Sequence, residues 1–267
     1  MNRLSLCLVV ALGGCVGGAG SAAPASMDDS AERDTDLPGA TDPNAAAVFD
    51  KADGIAKLSN DIHWVRNSAE YQALTRQVCR QATQRLEASL QDSPRPEGSW
   101  AVVLDADETV LDNSQYQKER LGRAASQSAW HEWVSRREAG AVPGAVAFLE
   151  RVNELGGVVA IVTNRSMSEC ADTRANLEDL GVQPDIVLCK GRTSSKTSRW
   201  QQVEGGTAVP GIGPTTILMY LGDNIQDFPA MTQDLRMESE PSFDAFGSTY
   251  FVIPNPMYGS WERSIRE

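Results

Sequence analysis

Residues 102–113 read Val-Val-Leu-Asp-Ala-Asp-Glu-Thr-Val-Leu-Asp-Asn, an apolar run that stops abruptly at two carboxylates, Asp105 and Asp107. In a strand, residues i and i+2 share a face. Just past a strand's C-terminal end, two such side chains converge on the crevice where open α/β sheets bind their ligands. Acids this close repel each other and need a cation or a shared proton. The pattern suits one carboxylate as nucleophile and metal ligand and its neighbour as proton carrier. The plainer alternative for a bare Asp-x-Asp is an acidic strand-to-helix turn, where Asp serves as a cap.

Two further segments repeat the pattern and weigh against that alternative. Residues 217–228 read Ile-Leu-Met-Tyr-Leu-Gly-Asp-Asn-Ile-Gln-Asp-Phe, another apolar run that stops at an acid, Asp223. A Gly that permits a tight turn precedes it, and Asp227 follows. Residues 158–165, Val-Val-Ala-Ile-Val-Thr-Asn-Arg, form a buried-type strand whose first polar residue is Thr163. Three apolar strands thus each end in a group able to meet phosphate or metal.

Between these segments the chain alternates strand and helix. Apolar strands are predicted at 101–104, 158–163, 186–188, 216–221 and 250–253. Helical patterns cover 44–91, 115–123, a stretch around Trp130, Trp133 and Val134 ending near Gly140, 143–155 and 168–180. Tyr71, Leu74, Val78 and Ala82 keep helical spacing, and Gly156-Gly157 stops the fourth helix. Alternation of this kind predicts an α/β fold: a Rossmann-like parallel sheet of about five strands with right-handed crossovers and flanking helices. Residues 44–91 and 113–142 are expected to supply a small helical cap. Trp130 and Trp133 read as core residues of their helix.

The residues resemble the haloacid dehalogenase superfamily of phosphohydrolases. Asp105, Asp107 and Thr109 match its Asp-x-Asp-x-Thr motif, Thr163 its strand-end Ser or Thr, and Asp223 with Asp227 its acidic pair after a Gly. Lys196 is the best candidate for its Lys, with Lys190 and Arg192 as competitors in the same polar loop. Asp-Glu-Thr-Val-Leu-Asp-Asn-x-x-Tyr (107–116), Gly-Asp-Asn-x-x-Asp-Phe (222–228), Trp64 with residues 67–71, and Pro-Asn-Pro-Met-Tyr-Gly (254–259) are similar to the class C bacterial acid phosphatases. These are surface lipoproteins with acid phosphatase and 5′-nucleotidase activity. The resemblance runs from about residue 45 onward and departs at Ala106, where the family usually carries a larger aliphatic residue. Altered packing is expected there, with the chemistry kept.

The resemblance implies roles. Asp105 attacks phosphorus and forms an aspartyl-phosphate, and Asp107 protonates the leaving alcohol and then activates water. Mg²⁺ is held by Asp105, the backbone carbonyl of Asp107 and Asp223. Thr163, Asn164 and Lys196 bind the phosphate. Asp227, Thr109 and Asn113 support the site, Asp227 either through Lys196 or a metal-bound water. Tyr116 and Tyr258 are candidates for stacking on a nucleobase, a contact worth about 1–3 kcal/mol.

Composition bounds the partners. A net charge of −12 argues against a nucleic-acid polymer, and only two His residues argue against a His-built metal site or a phosphohistidine route. Small phosphorylated substrates remain compatible. Residues 1–14 read as a lipoprotein-type signal peptide, with Leu-Gly-Gly-Cys (12–15) resembling a lipobox and Cys15 the lipid anchor. Cleavage near Ala25 is the alternative. Residues 15–43, acidic and without apolar periodicity, read as a disordered tether. Either leader implies export, with outer-membrane attachment under the first. Cys79, Cys170 and Cys189 then allow one disulfide and one buried thiol, the pairing left open.

The expected activity is that of an exported Mg²⁺-dependent acid phosphatase acting on phosphate monoesters such as 5′-nucleotides. Narrow specificity for sugar phosphates or nicotinamide mononucleotide is one alternative. A non-catalytic envelope binding lipoprotein is another, although a mere binder gains nothing from keeping both acids.

Overall fold

Every residue of Trp100–Leu104 is buried, and a strand buried on both faces belongs at the centre of a sheet covered on both sides. The computed structural model describes residues 57–263. Along the chain run α1 (Asn60–Asn67), α2 (Ala69–Asp92), β1 (Trp100–Leu104), β2 (Leu111–Asp112), α3 (Ser114–Glu119), α4 (Gln127–Arg136) and β3 (Gly140–Ala141). There follow α5 (Ala145–Glu154), β4 (Val158–Ser166), α6 (Cys170–Asp179), β5 (Ile186–Lys190), α7 (Thr197–Glu204), β6 (Thr216–Gly222) and β7 (Tyr250–Val252). The main sheet has the order β5-β4-β1-β6-β7, and all its strands are parallel. Leu104 lies level with Ile161 of β4 and Leu221 of β6. Three strand ends therefore finish side by side.

Alternation along the strands builds two cores. Val102, Leu104, Val159, Ile161, Met219 and Leu221 face one side, packed with Ala82 and Leu86 of α2, Phe148 and Leu149 of α5, and Leu177 of α6. Ala101, Val103, Ala160, Val162 and Tyr220 face the other, with Trp200 and Val203 of α7. Each fully buried side chain of this size contributes about 1.5–3 kcal/mol. Gly157 is required by this packing, because a Cβ there would lie 2.2 Å from the Trp100 ring. A third, smaller cluster joins Ile62, Val65 and Tyr71 to Met257, with Trp64, Leu121 and Tyr258 alongside.

The five strands and their parallel sense agree with the sequence reading, and the boundaries shift. β4 continues past Thr163 to Ser166 and β5 to Lys190. The helix around Trp133 ends before Gly140, because Arg137 takes a left-handed conformation (φ 57°) that closes it. Gly140–Ala141 then pairs antiparallel with Leu111–Asp112. α2 packs against α5 and reaches β6 and β7, which corrects its assignment to a cap: this helix belongs to the layer over the sheet. Ala106 is fully buried in the first core. Cys170 and Cys189 form a disulfide joining α6 to β5. Cys79 is free and buried, its thiol pushed up to about 12 by burial. No helix among the described residues is long and apolar enough to cross a membrane. The signal peptide, the Cys15 anchor, the Ala25 cleavage point, the tether of 15–43 and the helical pattern of 44–56 lie outside the described residues.

Candidate active site

Asp105 is the first residue beyond β1, and its backbone N–H donates to the Leu221 carbonyl at 3.0 Å. That bond holds it against the end of β6, where Asp223 follows Gly222. On the other flank β4 presents Thr163. The site thus lies at the C-terminal ends of three parallel strands, around β1, where the chain changes its winding direction across the sheet. Asp107 follows in a tight turn closed by Val110 and Leu111 N–H donating to the Ala106 carbonyl at 2.9 and 2.8 Å. Glu108 within it adopts φ 53°, an uncommon conformation for a residue with a Cβ.

Lys196, immediately before α7, is buried and donates to Asp105 Oδ1 at 2.5 Å and contacts Asp227 Oδ1 at 2.6 Å. It is therefore the cation at the site, ahead of Lys190 and Arg192. Of the two roles considered for Asp227, the contact with Lys196 is present through Oδ1; its Oδ2 also accepts the Asn224 N–H at 3.0 Å, capping the short turn of Ile225–Asp227. Gly222 is needed beneath it, since a Cβ there would come within 2.3 Å of the Asp227 Cβ. Asp223 accepts from Thr109 Oγ1 at 3.3 Å and from Asn255 Nδ2 at 2.8 Å.

The Asp107 carboxylate turns the other way. Its Oδ1 accepts from Arg165 Nε at 2.9 Å and Asn113 Nδ2 at 2.8 Å. Thr163 is fully buried, with its hydroxyl oxygen accepting from Arg165 N–H at 3.1 Å. Arg199 donates to the Thr163 carbonyl, to Asn164 Oδ1 at 2.7 Å, and to the carbonyls of Ser194 and Ser195. It ties the end of β4 to the loop that delivers Lys196.

The electrostatics show an unbalanced site. Asp105, Asp107, Glu108, Asp223 and Asp227 face Lys196, Arg165 and Arg199, five carboxylates against three cations. Burial, reinforced by neighbouring carboxylates, pushes Asp105, Glu108 and Asp223 above the ordinary carboxylate range. Burial alone would lower Lys196, but the carboxylates of Asp105 and Asp227 outweigh it and hold the ammonium above its ordinary value. Oxygen atoms of Asp105, Asp223 and Asp227 lie within 4.8 Å of one another. An all-oxygen, charge-rich donor set fits a hard divalent cation. The grouped carboxylates include Asp227, while Oδ1 of Asp107 is taken up by Arg165 and Asn113.

A family model for the HAD superfamily, subfamily IIIB (acid phosphatase), matches residues 40–261. The chain belongs to this family. Two structures of the class C acid phosphatase from Bacillus anthracis, one with tungstate bound, are similar to it at 28% identity and a TM-score of 0.66. Each match covers 76% of this chain and 85% of the other. The protein is accordingly a phosphomonoesterase of the acid phosphatase type, and phosphatases of this superfamily typically use a divalent metal.

In this acid phosphatase, Asp105, Asp107, Thr163, Asn164, Lys196, Asp223, Asp227, Thr109 and Asn113 all come together at the strand ends. Tyr116 does not join them on an open face. It is buried between Trp130 at 5.1 Å and Trp133 at 6.1 Å, which corrects its assignment as a stacking platform. Trp130 and Trp133 are core residues, as their spacing predicts. Tyr258 is partly exposed beside the third cluster, with its hydroxyl buried and unpartnered among the described residues. Sequence reasoning missed Arg165, Arg199 and Asn255. Arg165 was detectable, because it shares a strand face with Thr163 at i+2; Arg199 stands one helical turn after Lys196.

Proposed function

We propose that this protein is an exported, Mg²⁺-dependent acid phosphatase that hydrolyses phosphate monoesters such as 5′-nucleotides through a phosphoryl group carried on Asp105. The observation that carries the reading is the placement of the Asp105 carboxylate between Lys196, Asp223 and the Thr163 strand end. A nucleophile there meets a phosphoryl group among positive and hydroxyl donors, as phosphoryl transfer requires. Asp105, Asp223 and the Asp107 carbonyl would hold Mg²⁺, which when bound neutralises charge on carboxylate and phosphate.

In the first step an Asp105 oxygen forms a bond to phosphorus as the ester P–O bond breaks, and Asp107 passes a proton to the departing oxygen. In the second, Asp107 takes a proton from water as its oxygen attacks phosphorus. The bond to Asp105 then breaks and releases inorganic phosphate. Lys196 steadies Asp105 and offsets its charge, while Thr163 and Asn164 bind phosphoryl oxygens. The similar Bacillus anthracis enzyme with tungstate, an oxyanion of phosphate-like shape, supports an oxyanion pocket. The Cys170–Cys189 disulfide supports an oxidising location outside the cytosol, in keeping with the lipoprotein leader.

Phosphate release from p-nitrophenyl phosphate, 5′-AMP and glucose 6-phosphate, measured with Mg²⁺ and with EDTA from acid to neutral pH, tests the reading. Activity is expected to require the metal, to rank 5′-AMP above glucose 6-phosphate, and to fall at least about a thousandfold in Asp105→Asn. Release that survives in Asp105→Asn would overturn the Asp105 route. An inverted ranking would move the substrate to sugar phosphates.

A further inference from the structure

Asn113 is fully buried and every hydrogen-bonding position of its side chain is used. Its Nδ2 donates to Asp107 Oδ1 at 2.8 Å and to Glu108 Oε2 at 3.2 Å. Its Oδ1 accepts from Trp133 Nε1 at 2.8 Å and from Arg165 NH2 at 3.1 Å. Arg165 is equally constrained. It donates through Nε to Asp107 Oδ1 at 2.9 Å, lies 2.8 Å from the same oxygen through NH2, and donates through NH1 to Thr173 Oγ1 at 3.3 Å. Its guanidinium also lies over the Trp130 ring at 5.3 Å. Residues of β4 and of the turn before α3 thus meet on one oxygen of one carboxylate, each held from behind by a residue of α6 or α4.

A salt bridge needed only for stability would be served by either oxygen of Asp107. Here Arg165 and Asn113 both act on Oδ1, and the side chain keeps 13% of its surface open. With Oδ1 occupied, a proton carried by Asp107 resides on Oδ2. Because Asn113 is itself held by Trp133, the torsion that aims Oδ2 is set by an indole N–H inside the core. We infer that Arg165, Asn113 and Trp133 are positioning residues that select Oδ2 of Asp107 as the proton-donating oxygen, so that the enzyme can expel unactivated alkyl leaving groups.

This inference rests on the proposed roles of Asp105 and Asp107. In the step concerned, the Asp105–phosphorus bond forms, the ester P–O bond breaks, and the Oδ2 proton moves to the leaving oxygen. A p-nitrophenolate leaves without that proton; an alkoxide does not. The measurement is therefore kcat/KM, which reports this first step, for glycerol 2-phosphate and p-nitrophenyl phosphate on the same preparations. Wild type, Trp133→Phe, which keeps a ring in the core and deletes the donor, and Arg165→Lys would be compared. The glycerol-to-nitrophenyl ratio is expected to fall about threefold in Trp133→Phe and about tenfold or more in Arg165→Lys, within the range that general acid catalysis supplies. Any loss of folded protein cancels in the ratio. A wild-type ratio in both variants overturns the inference and leaves the phosphatase reading intact. A wild type that cleaves neither ester overturns the phosphatase reading itself.

Discussion

The two sides of the crevice are built on opposite terms. Around Asp105, the carboxylates of Asp105 and Asp227 share one ammonium, Lys196, and burial holds Asp105 and Asp223 above the ordinary carboxylate range. Around Asp107, by contrast, Asn113 has all of its polar valences satisfied, and Arg165 reaches Asp107, Asn113 and Thr173 at once. A cluster with more carboxylates than cations is set up to take a further cation; a satisfied network is rigid before anything arrives. The first side therefore supplies affinity for cation and phosphoryl group, and the second supplies direction.

Three substitutions or treatments would sharpen or break that contrast. The largest effect is expected from Asp223→Asn, which keeps the shape of the side chain and removes a charge from the under-compensated side. Turnover should fall about a hundred- to a thousandfold, and calorimetric titration with Mg²⁺ should show weakened binding. Unchanged Mg²⁺ affinity would contradict the division of labour. An intermediate effect is expected from reducing the disulfide, whose Cys170 opens the helix that carries Thr173. Closing a loop of this length stabilises by about 3 kcal/mol, so urea denaturation with and without reductant should differ by roughly that amount, with Mg²⁺ affinity unaltered.

The smallest effect concerns the rim, where Arg136 of α4 bonds Glu119 of α3 at 2.7 Å. Hydrogen bonds from Arg136 and Gln115 pull the Glu119 carboxyl down from 4.5 to about 2. A depressed folded value means that the contribution is present above the ordinary carboxylate range and is lost as pH falls toward about 2. Arg136→Ala should cost about half a kcal/mol near neutral pH, given its exposure. The gap from wild type should narrow in urea melts under acid conditions, and a constant gap would assign the loss to packing.

The same contrast explains what the sequence disclosed. The under-compensated side is written in strand ends: an apolar run followed by an acid is a local signal, and Asp105, Asp223 and Thr163 could all be read from it. Lys196 needed the family resemblance, because three cations share its loop. The satisfied side was largely hidden. Asn113 showed only as part of a motif. Arg165 stands beyond the residue at which the apolar run ends, and Trp133 looks like any aromatic on an amphipathic helix. Its burial was predictable from spacing, whereas the direction of its indole N–H depends on how α4 meets the turn before α3. The pairing of β2 with β3 escaped for a related reason: two-residue strands carry no periodicity.

The order of the sheet also sets a schedule for the growing chain. β1 is central, and Trp100 pairs with Thr216, a residue 116 positions later. At about 5–20 residues per second, a ribosome that has just made β1 needs roughly 6–24 seconds to finish its β6 neighbour. Throughout that interval one edge of β1, a strand buried at every residue, lacks its partner, and Asp105 lacks Asp223. The centre of the sheet is therefore closed on both sides only once β6, the last strand but one, has been made.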